Sequence, residues 1–443
     1  MKRLKSAAVL SALAATSIFA SACSGGNSDA MKEEKATVKV LYWDEQVFMM
    51  EYGNLFNARY PNIEVEVIGQ HVLEEYKQRL GPEEAWNSFL QNEAPDVVAL
   101  DHTQYKQLAA NNQLMDLEPM LQEKDFKGED IFPGFIDKLK EQGGGKLYGL
   151  TPTFISQAIF YNADLFSKYG IEIPAKGMSW KEILELAKRF PNKENEAYGL
   201  NYMDFYHMGL TIGWSEGLTA NDADVTKITL QSEGWKKAFE TAIAAKDVIA
   251  PSEEQGNNGY LSNDPFINGK AAMTVNSPYY MDQIEQNAEQ LNKDINWGLV
   301  PGPADPNDAS SGGVFIASDV FAIRANSPNA KAAWELVKYI NSDEAAKFLS
   351  RTFHANLLAR TKHIKERPGK NIEAFYALNP IQDVKGRFFS AVPYEFIMAF
   401  NKLVDEEIQA TEEGKKSLDD ALQTIETKAS QELVKAREQK ETN

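Results

Sequence analysis

Two clusters of aromatic and polar side chains stand where predicted strands end near the start of the chain. Trp43-Asp44-Glu45 closes the strand-like run 37–43, and Asp101-His102 follows the apolar run 95–100. An aromatic face can stack on the C–H patches of a sugar ring, while carboxylate and imidazole groups form directional hydrogen bonds with its hydroxyls. Open α/β sheets bind ligands outside the carboxyl ends of their strands. Both clusters are therefore predicted to contact a polyhydroxylated ligand.

Each of these predictions has a structural alternative. Trp43-Asp44-Glu45 could be a surface turn that caps the next helix, and Asp101 could be the N-cap of the helix that follows it. Gly312-Gly313 would let the backbone approach a ligand closely, although a tight turn would use the same residues. His102 is one of five histidines, and neither HExxH nor a paired ligand spacing occurs in the sequence. We therefore expect no catalytic metal.

The elements that would position these residues alternate between strand and helix. Strand patterns at 37–43, 63–68 and 95–100 are separated by helical patterns at 46–59 and 74–91. This order predicts βαβ units and a parallel sheet. A chain of this length exceeds what a single core usually holds, so two domains are expected.

The N-terminus has the pattern of a secretory signal peptide. Three positive charges in residues 1–5 precede an apolar stretch at 7–20, which is too short to span a bilayer, and small residues then lead to Cys23. Residues 19–23 resemble a bacterial lipobox, although Ala20 stands where leucine is commonest. Cys23 is the only cysteine, so it cannot form an internal disulfide. The sequence predicts lipidation at Cys23; the alternative is a signal peptidase I site beside an incidental cysteine.

The mature chain is strongly acidic. The formal net charge is −18 for the whole sequence, and removing residues 1–22 takes away three positive charges and no acids. This excess argues against nucleic acid as a partner, because binding phosphates needs a basic surface.

Four stretches resemble the family 1 extracellular solute-binding proteins, a group that includes maltodextrin- and multiple-sugar-binding lipoproteins. They are residues 158–168, 266–279, 312–318 and 327–345, in the order that the family has them. The resemblance implies an α/β, periplasmic-binding-protein-like fold with two lobes, a ligand cleft and a hinge between them. It also implies an N-terminal lobe at 37–151 plus 318–366 and a C-terminal lobe at 152–317 plus 367–443. Before these lobes, the N-terminal pattern predicts a signal peptide at 1–22 and a flexible tether at 23–36.

The same resemblance suggests further binding residues. By position, Asp204 and Tyr206 would face the sugar. The turn 276–279 matches the family's Asn-Gly-Pro-aromatic turn, so Tyr279 would stack on a ring, with Tyr280 as a weaker neighbour. Trp214 could stack as well or be a core residue. Gln157, together with Phe154 and Ser156, would lie beside the first crossover between the lobes.

The function that follows is that of a substrate-binding lipoprotein for an ABC importer. Such a protein would act as a monomer on the extracytoplasmic face, need no cofactor, and deliver a carbohydrate to membrane permease subunits. One alternative keeps the fold but binds a non-sugar solute, and another is an adhesin or regulator. A secreted glycosidase is a third, but it needs two carboxylates that flank one bond, and no such pair is apparent. We therefore do not expect an enzyme.

Overall fold

Strands and helices alternate along the first part of the folded chain, as the hydrophobic pattern predicts. The computed structural model describes residues 35–80, 82–123, 126, 128, 131–132, 134–191, 197–202, 205–222, 225–250, 264–291, 294–312, 315–352, 356–364, 367, 369–380, 388, 392 and 394–442. Its strands are β1 (Ala36–Tyr42), β2 (Ile63–Gly69), β3 (Val97–Leu100), β4 (Gly149–Leu150), β5 (Thr153–Ile155), β6 (Ala158–Asn162), β7 (Tyr198–Asn201), β8 (Ala271–Asn276), β9 (Trp297–Pro301), β10 (Ala304–Asp305), β11 (Asp308–Gly312), β12 (Ile316–Ala317), β13 (Val320–Ile323) and β14 (Leu357–Leu358).

The helices lie between and after these strands. They are α1 (Glu45–Phe48), α2 (Asn54–Arg59), α3 (Gln70–Leu80), α4 (Pro82–Asn92), α5 (His102–Ala110), α6 (Phe135–Gln142), α7 (Ala163–Tyr169), α8 (Trp180–Ala187), α9 (Met208–Ser215), α10 (Glu233–Ile243), α11 (Tyr279–Leu291), α12 (Ala330–Ile340), α13 (Asp343–Thr352), α14 (Tyr394–Glu412) and α15 (Leu418–Thr442). Shorter helical turns are a π-turn at Met49–Gly53 and 3-10 turns at Met120–Gln122, Phe205–His207, Lys246–Val248, Thr361–His363 and Ile372–Phe375.

The first sheet combines the early strands with two that come from later in the chain. Its strand order is β2-β1-β3-β13-β4. β1 pairs in parallel with β2 and β3, which confirms the predicted βαβ units, while β13 runs antiparallel to β3 and β4. The carboxyl ends of β1, β3 and β4 and the start of β13 therefore lie at one edge of this sheet.

The second sheet has the order β7-β8-β6-β9. β7 and β8 are parallel, and β6 is antiparallel to both β8 and β9. Ala158, the first residue of β6, is paired with Asn276 at the end of β8 and with Pro301 at the end of β9. The start of β6 and the carboxyl ends of its neighbours thus share one edge.

A small antiparallel sheet connects the two larger ones, and we call it the hinge sheet. It consists of β12, β5 and β14, in that order. β5 follows β4 of the first sheet and precedes β6 of the second, while β12 leads back to β13 of the first sheet. Two of the predicted lobe boundaries, 151/152 and 317/318, lie next to β5 and β12, whereas the third, 366/367, comes after β14. The exact lobe boundaries stay a prediction.

Local signals explain several helix starts. The Ser-x-x-Glu spacing of residues 179–182 predicts a capping box, and Ser179 and Glu182 form it at the start of α8, with the Glu182 carboxylate accepting from the Ser179 backbone N–H at 2.8 Å. The pair Ser327-Pro328 predicts an N-cap at Ser327, and this prediction is wrong, because the N-cap of α12 is Asn329. The Ser327 hydroxyl instead donates to Asp96 Oδ1 at 2.6 Å, which ties the loop before α12 to the residue that precedes β3.

The buried side chains form a large cluster and two smaller ones. The large cluster is continuous from Val38 in β1, through Phe154 in the hinge sheet, to Leu299 in β9. A second cluster packs α8 onto the second sheet. The third joins α9 and α10 to the C-terminal helices α14 and α15. The hinge is therefore part of the core rather than a loose linker.

Candidate functional site

A short segment of chain joins the first sheet to the second. It runs from the edge where β1, β3 and β4 end to the edge where β6 begins. Leu150 ends β4 at the edge of the first sheet, and Ala158 starts β6 at the edge of the second. The chain between them can span at most about 29 Å when extended, so the two edges lie near each other. We call the two edges together with the hinge sheet the cleft.

At the first edge, Trp43 is available for contact and Asp44 has a capping role. The Trp43 side chain is 54% exposed directly after β1. Asp44 is the N-cap of α1, since its Oδ1 accepts from the Val47 N–H at 3.0 Å. Glu45 is exposed in the first turn of that helix. Asp44 thus caps the helix, as the structural alternative predicts. Trp43 does not cap it, and its side chain remains exposed.

Asp101 caps the helix after β3. Its Oδ1 accepts from the backbone N–H groups of Thr103 and Gln104, both at 2.8 Å, and Gln104 Oε1 accepts from the Asp101 N–H at 3.1 Å. This is a complete capping box. His102 lies beside it, with its Nε2 at 3.3 Å from the Thr103 hydroxyl. A binding role for Asp101 and His102 stays a prediction, and capping alone accounts for the aspartate.

At the second edge, the turn after β8 places two adjacent tyrosines in opposite environments. Tyr279 is 49% exposed, whereas Tyr280 is 3% exposed. The Tyr280 hydroxyl donates to Asp264 Oδ1 at 2.7 Å, and its ring meets Phe160 edge-on at 5.2 Å. Tyr280 therefore has almost no surface for a ligand, contrary to the role suggested for it. Tyr279 has that surface.

Trp214 lies in the core rather than at an edge of the cleft. It is 6% exposed in α9 and packs against Trp235 and Phe388, at ring distances of 6.3 and 6.1 Å. The core alternative explains this tryptophan, and its buried ring offers no stacking face. Tyr206, in the 3-10 turn before α9, is half-buried next to Phe205.

Gly312 is explained by a hairpin. It ends β11 with φ +152°, and a Cβ there would come within 2.5 Å of the Pro303 carbonyl oxygen. A close approach between β10 and β11, where Gly312 pairs with Ala304, accounts for this glycine without a tight turn, and its contact with a ligand stays a prediction. The predicted contacts Asp204 and Gly313, and the lipidation site Cys23, lie outside the described residues.

Aromatic rings pack around β5 beneath the cleft. Phe154 is fully buried and stacks on Phe132 at 5.3 Å and on Phe315 at 5.9 Å. Ser156 is buried, while Gln157 is half-buried between β5 and β6. Phe154 and Ser156 therefore support the hinge, and Gln157 is the one of these three with side-chain surface at the second edge.

Sequence reasoning missed two carboxyl groups at the first edge. Asp319 directly precedes β13, and Glu51 lies in the π-turn between α1 and α2. Glu51 is 7% exposed and accepts at 2.9 Å from the Tyr42 hydroxyl. Burial raises the pKa of Glu51 to about 7 and that of Asp319 to about 6. An acid directly before a buried strand could have marked Asp319 as a candidate. Glu51 is far from Asp319 in sequence, so no local pattern indicates that the two carboxyl groups lie at the same edge.

Large apolar side chains are exposed at three places around the cleft. Trp43 and Tyr279 stand at the two edges, and Ile316 in the hinge sheet is 40% exposed. Exposed large apolar residues elsewhere in the described part of the chain are Met50, Leu80, Ile173, Met398 and Val434. The cleft thus offers apolar surface on both sides and at its base, next to carboxylates at the first edge.

Metal-ligand clusters and membrane-spanning helices are both absent from the described residues. No group of three or more histidine, cysteine, aspartate or glutamate side chains there is placed to hold a metal ion. Within the same ranges, no helix is long and apolar enough to cross a membrane.

A sequence profile of the bacterial extracellular solute-binding proteins matches residues 42–347 of this chain. The chain belongs to that family. A Brucella abortus relative named as a binding protein is 29% identical over 240 residues, which are 51% of this chain and 53% of the relative. The chain thus spans about half the length of that curated relative.

Solved structures show the fold. MalE, a sugar-binding protein of Xanthomonas citri, has a TM-score of 0.65 at 19% identity, covering 92% of this chain and 100% of that chain. An ABC substrate-binding protein of Listeria monocytogenes, solved with cycloalternan, has a TM-score of 0.58 at 19% identity, covering 90% and 99%. The expected periplasmic-binding-protein-like fold, with two α/β lobes and a hinged cleft, is confirmed.

Proposed function

We propose that this family member captures a carbohydrate in the cleft and delivers it to the permease subunits of an ABC importer. The observation that carries the proposal is the exposure of Trp43 and Tyr279 on opposite edges of the cleft. Two aromatic faces, one on each lobe, suit a ring with apolar C–H patches, and the nearby carboxylates suit its hydroxyl groups. The Xanthomonas and Listeria proteins, which are similar in fold, are named as a sugar-binding protein and as a complex with a cyclic sugar.

The proposed mechanism is stoichiometric. The ligand first contacts one edge of the open cleft, and rotation about the hinge sheet brings the other edge against it. A ligand drives this closure only as far as it binds the closed form better than the open form. The lobes that move would be 37–151 with 318–366 and 152–317 with 367–443. The closed complex would then dock on the permease, and no bond of the ligand would be broken.

We also propose that the protein is anchored to the extracytoplasmic face of the membrane through lipidated Cys23. The support is the order of basic, apolar and small residues before the single cysteine. Residues 23–36 would be a flexible tether between the lipid and β1.

A ligand screen with two readouts tests the binding function. The protein without its signal peptide is screened by thermal shift against maltose, maltotriose, cellobiose, xylobiose, raffinose, a tripeptide and inorganic phosphate. Hits are titrated by calorimetry, and small-angle scattering is recorded with and without ligand. We expect at least one sugar to bind and to reduce the radius of gyration. Binding of the tripeptide or phosphate alone, or conversion of a sugar to products, would contradict the proposal.

A further inference from the structure

The helix that carries Tyr279 is held from outside by one arginine. Arg367 Nη1 lies 2.6 Å from Glu285 Oε1, and its Nη2 donates to Asp282 Oδ1. The Arg367 and Asp282 side chains are only 11% and 15% exposed. A guanidinium that joins two carboxylates one helical turn apart fixes the first two turns of α11 in one orientation.

Arg367 belongs to a stretch that bridges the two halves of the molecule. A few residues earlier, Lys362 Nζ and His363 Nε2 each lie 2.7 Å from Asp343 Oδ1 at the start of α13. This helix packs against α12, which lies on the first sheet. A few residues later, Lys370 donates to the Trp297 carbonyl at 2.7 Å, at the start of β9 in the second sheet. The described residues of the stretch 361–370 therefore make polar contacts with both halves of the molecule.

Open space lies along one side of this stretch. An open pocket of about 710 Å³ is lined by residues that include Ile364, Arg367 and Lys370. Ile364 also packs against the large core cluster, and Lys370 Nζ lies 3.9 Å from the centre of the Trp297 ring. Arg367 adds the ion pairs that join the stretch to α11.

The geometry of α11 connects these ion pairs to the cleft. Residues three apart on a helix are neighbours on its surface, so Asp282 is the surface neighbour of Tyr279. Tyr280, about 100° around the helix, points into the core and is bonded to Asp264. The inner side of the helix start is thus fixed within the second sheet's core, and its outer side is fixed by Arg367.

We propose that Arg367 is a positioning residue for ligand binding, which holds the Tyr279 ring in place through Asp282 and Glu285. This inference rests on the proposed function, in which Tyr279 contacts the ligand. Arg367 itself does not touch the ligand. A stacking ring that shifts by a fraction of an ångström loses contact with its partner, so loss of the ion pairs weakens binding although Tyr279 is still present.

A double-mutant cycle separates positioning from general stabilisation. The variants are Arg367→Gln, Tyr279→Ala and the pair, with Lys362→Gln as the matched control that breaks the ion pair of the same stretch with α13. The probe is whichever sugar of the panel binds the wild type most tightly. We expect Arg367→Gln to raise Kd about tenfold alone but less than about twofold in the Tyr279→Ala background, and Lys362→Gln to change it less than about twofold. Equal effects of Arg367→Gln in both backgrounds would overturn the inference.

Arg367→Lys gives a second variant in case the glutamine variant does not fold. Lysine keeps the charge but cannot join both carboxylates in one plane, so we expect a rise in Kd of about threefold that disappears when Tyr279 is alanine. A wild-type Kd for both Arg367 variants would refute the positioning role.

Hydrogen exchange of residues 279–285 provides a readout without ligand. We expect faster exchange there in Arg367→Gln and no change in Lys362→Gln. If no sugar in the panel binds, the proposed function fails, whereas the exchange result still decides on Arg367. Unchanged exchange would show that the ion pairs do not hold the start of α11.

Discussion

Tyr279 and Tyr280 are adjacent in sequence but lie in opposite environments. Tyr280 is buried against Phe160 and bonded to Asp264, so it fixes the start of α11. About half of the Tyr279 surface is exposed. An aromatic side chain that remains 49% exposed at the edge of a cleft is a more suitable ligand contact than one that is already satisfied within the core.

Replacing Tyr279 with alanine is expected to weaken sugar binding by roughly 1–3 kcal/mol, the usual cost of losing a large contact at a binding site. The thermal midpoint should change little because the ring is half exposed. Titration calorimetry measures the first effect and thermal denaturation the second. Ile173→Ala, which removes an exposed apolar side chain away from the cleft, is the control. An unchanged Kd for Tyr279→Ala would remove this residue from the site.

Glu51 is a buried acid whose ionisation opposes folding. Burial, together with the charge of Asp319, raises the pKa of Glu51 from 4.5 to about 7, against a lowering effect of the Tyr42 hydrogen bond. The folded protein therefore holds a proton that the unfolded chain releases between these two values. The stabilisation from this group is complete below pH 4.5 and is lost as the pH rises through about 7.

The variant Glu51→Gln imitates the protonated acid at every pH. We expect it to be more stable than the wild type at pH 8, by roughly 1–3 kcal/mol, and nearly equal to it at pH 5. Urea denaturation at both pH values measures the difference. Glu64→Gln, at an exposed position of β2, should show no such pH dependence. A stability gain that is equal at pH 5 and pH 8 would contradict this account of Glu51.

At the scale of elements, several helices of this fold begin within three residues of the end of a strand. α5 begins where β3 ends, so Asp101 must cap the helix and also stands at the cleft edge. α1 begins in the same way after β1, with Asp44 as its cap. A polar residue after a strand can therefore cap a helix, contact a ligand, or do both. A substitution that keeps the cap but removes the charge separates the two roles.

Asp101→Ser is such a substitution, because serine caps helices about as well as aspartate but carries no charge. We expect Asp101→Ala to lower the free energy of unfolding by about 1 kcal/mol and Asp101→Ser to lower it by only a few tenths. If the carboxylate also contacts the sugar, both variants raise Kd. Urea denaturation and calorimetry measure the two effects, and a wild-type Kd in both variants would limit Asp101 to capping.

At the scale of the whole molecule, the hinge is packed. Phe154 in β5 joins the rings of Phe132 and Phe315 within the large core cluster. The proposed closure about the hinge sheet would therefore keep these stacked rings together, because separating them would expose apolar surface. Rotation of two rigid lobes with small backbone changes at β5, β12 and β14 satisfies this condition.

The proposed lipid anchor concerns the whole molecule as well, since it would determine where the protein acts. Cys23→Ala removes the thiol that would carry the lipid, so we expect the protein to leave the membrane fraction or to accumulate with its signal peptide uncleaved. Cell fractionation followed by immunoblotting measures both. Ser24→Ala, which keeps the cysteine, is the control. Membrane retention of Cys23→Ala equal to the wild type would contradict lipidation at this position.

Local patterns in the sequence determined much of the fold. Apolar periodicity placed β1, β2 and β3 to within about two residues, and the Ser179–Glu182 spacing marked the start of α8 correctly. These signals are reliable because helix capping and side-chain alternation depend on neighbours only a few residues away. The polar residues at the ends of β1 and β3 also followed from sequence, since a strand's carboxyl end is readable from its pattern.

Only the tertiary structure decided which residues remain accessible and which distant segments meet. Trp214 and Trp43 are the same residue type, yet one is in a core and the other at the cleft, because burial depends on all the elements packed around a side chain. The hinge sheet pairs strands from around residues 154, 316 and 357, and Arg367 reaches an aspartate 85 positions away. Such pairings form only when the whole chain has closed its loops and buried its apolar surface, and no local pattern records them.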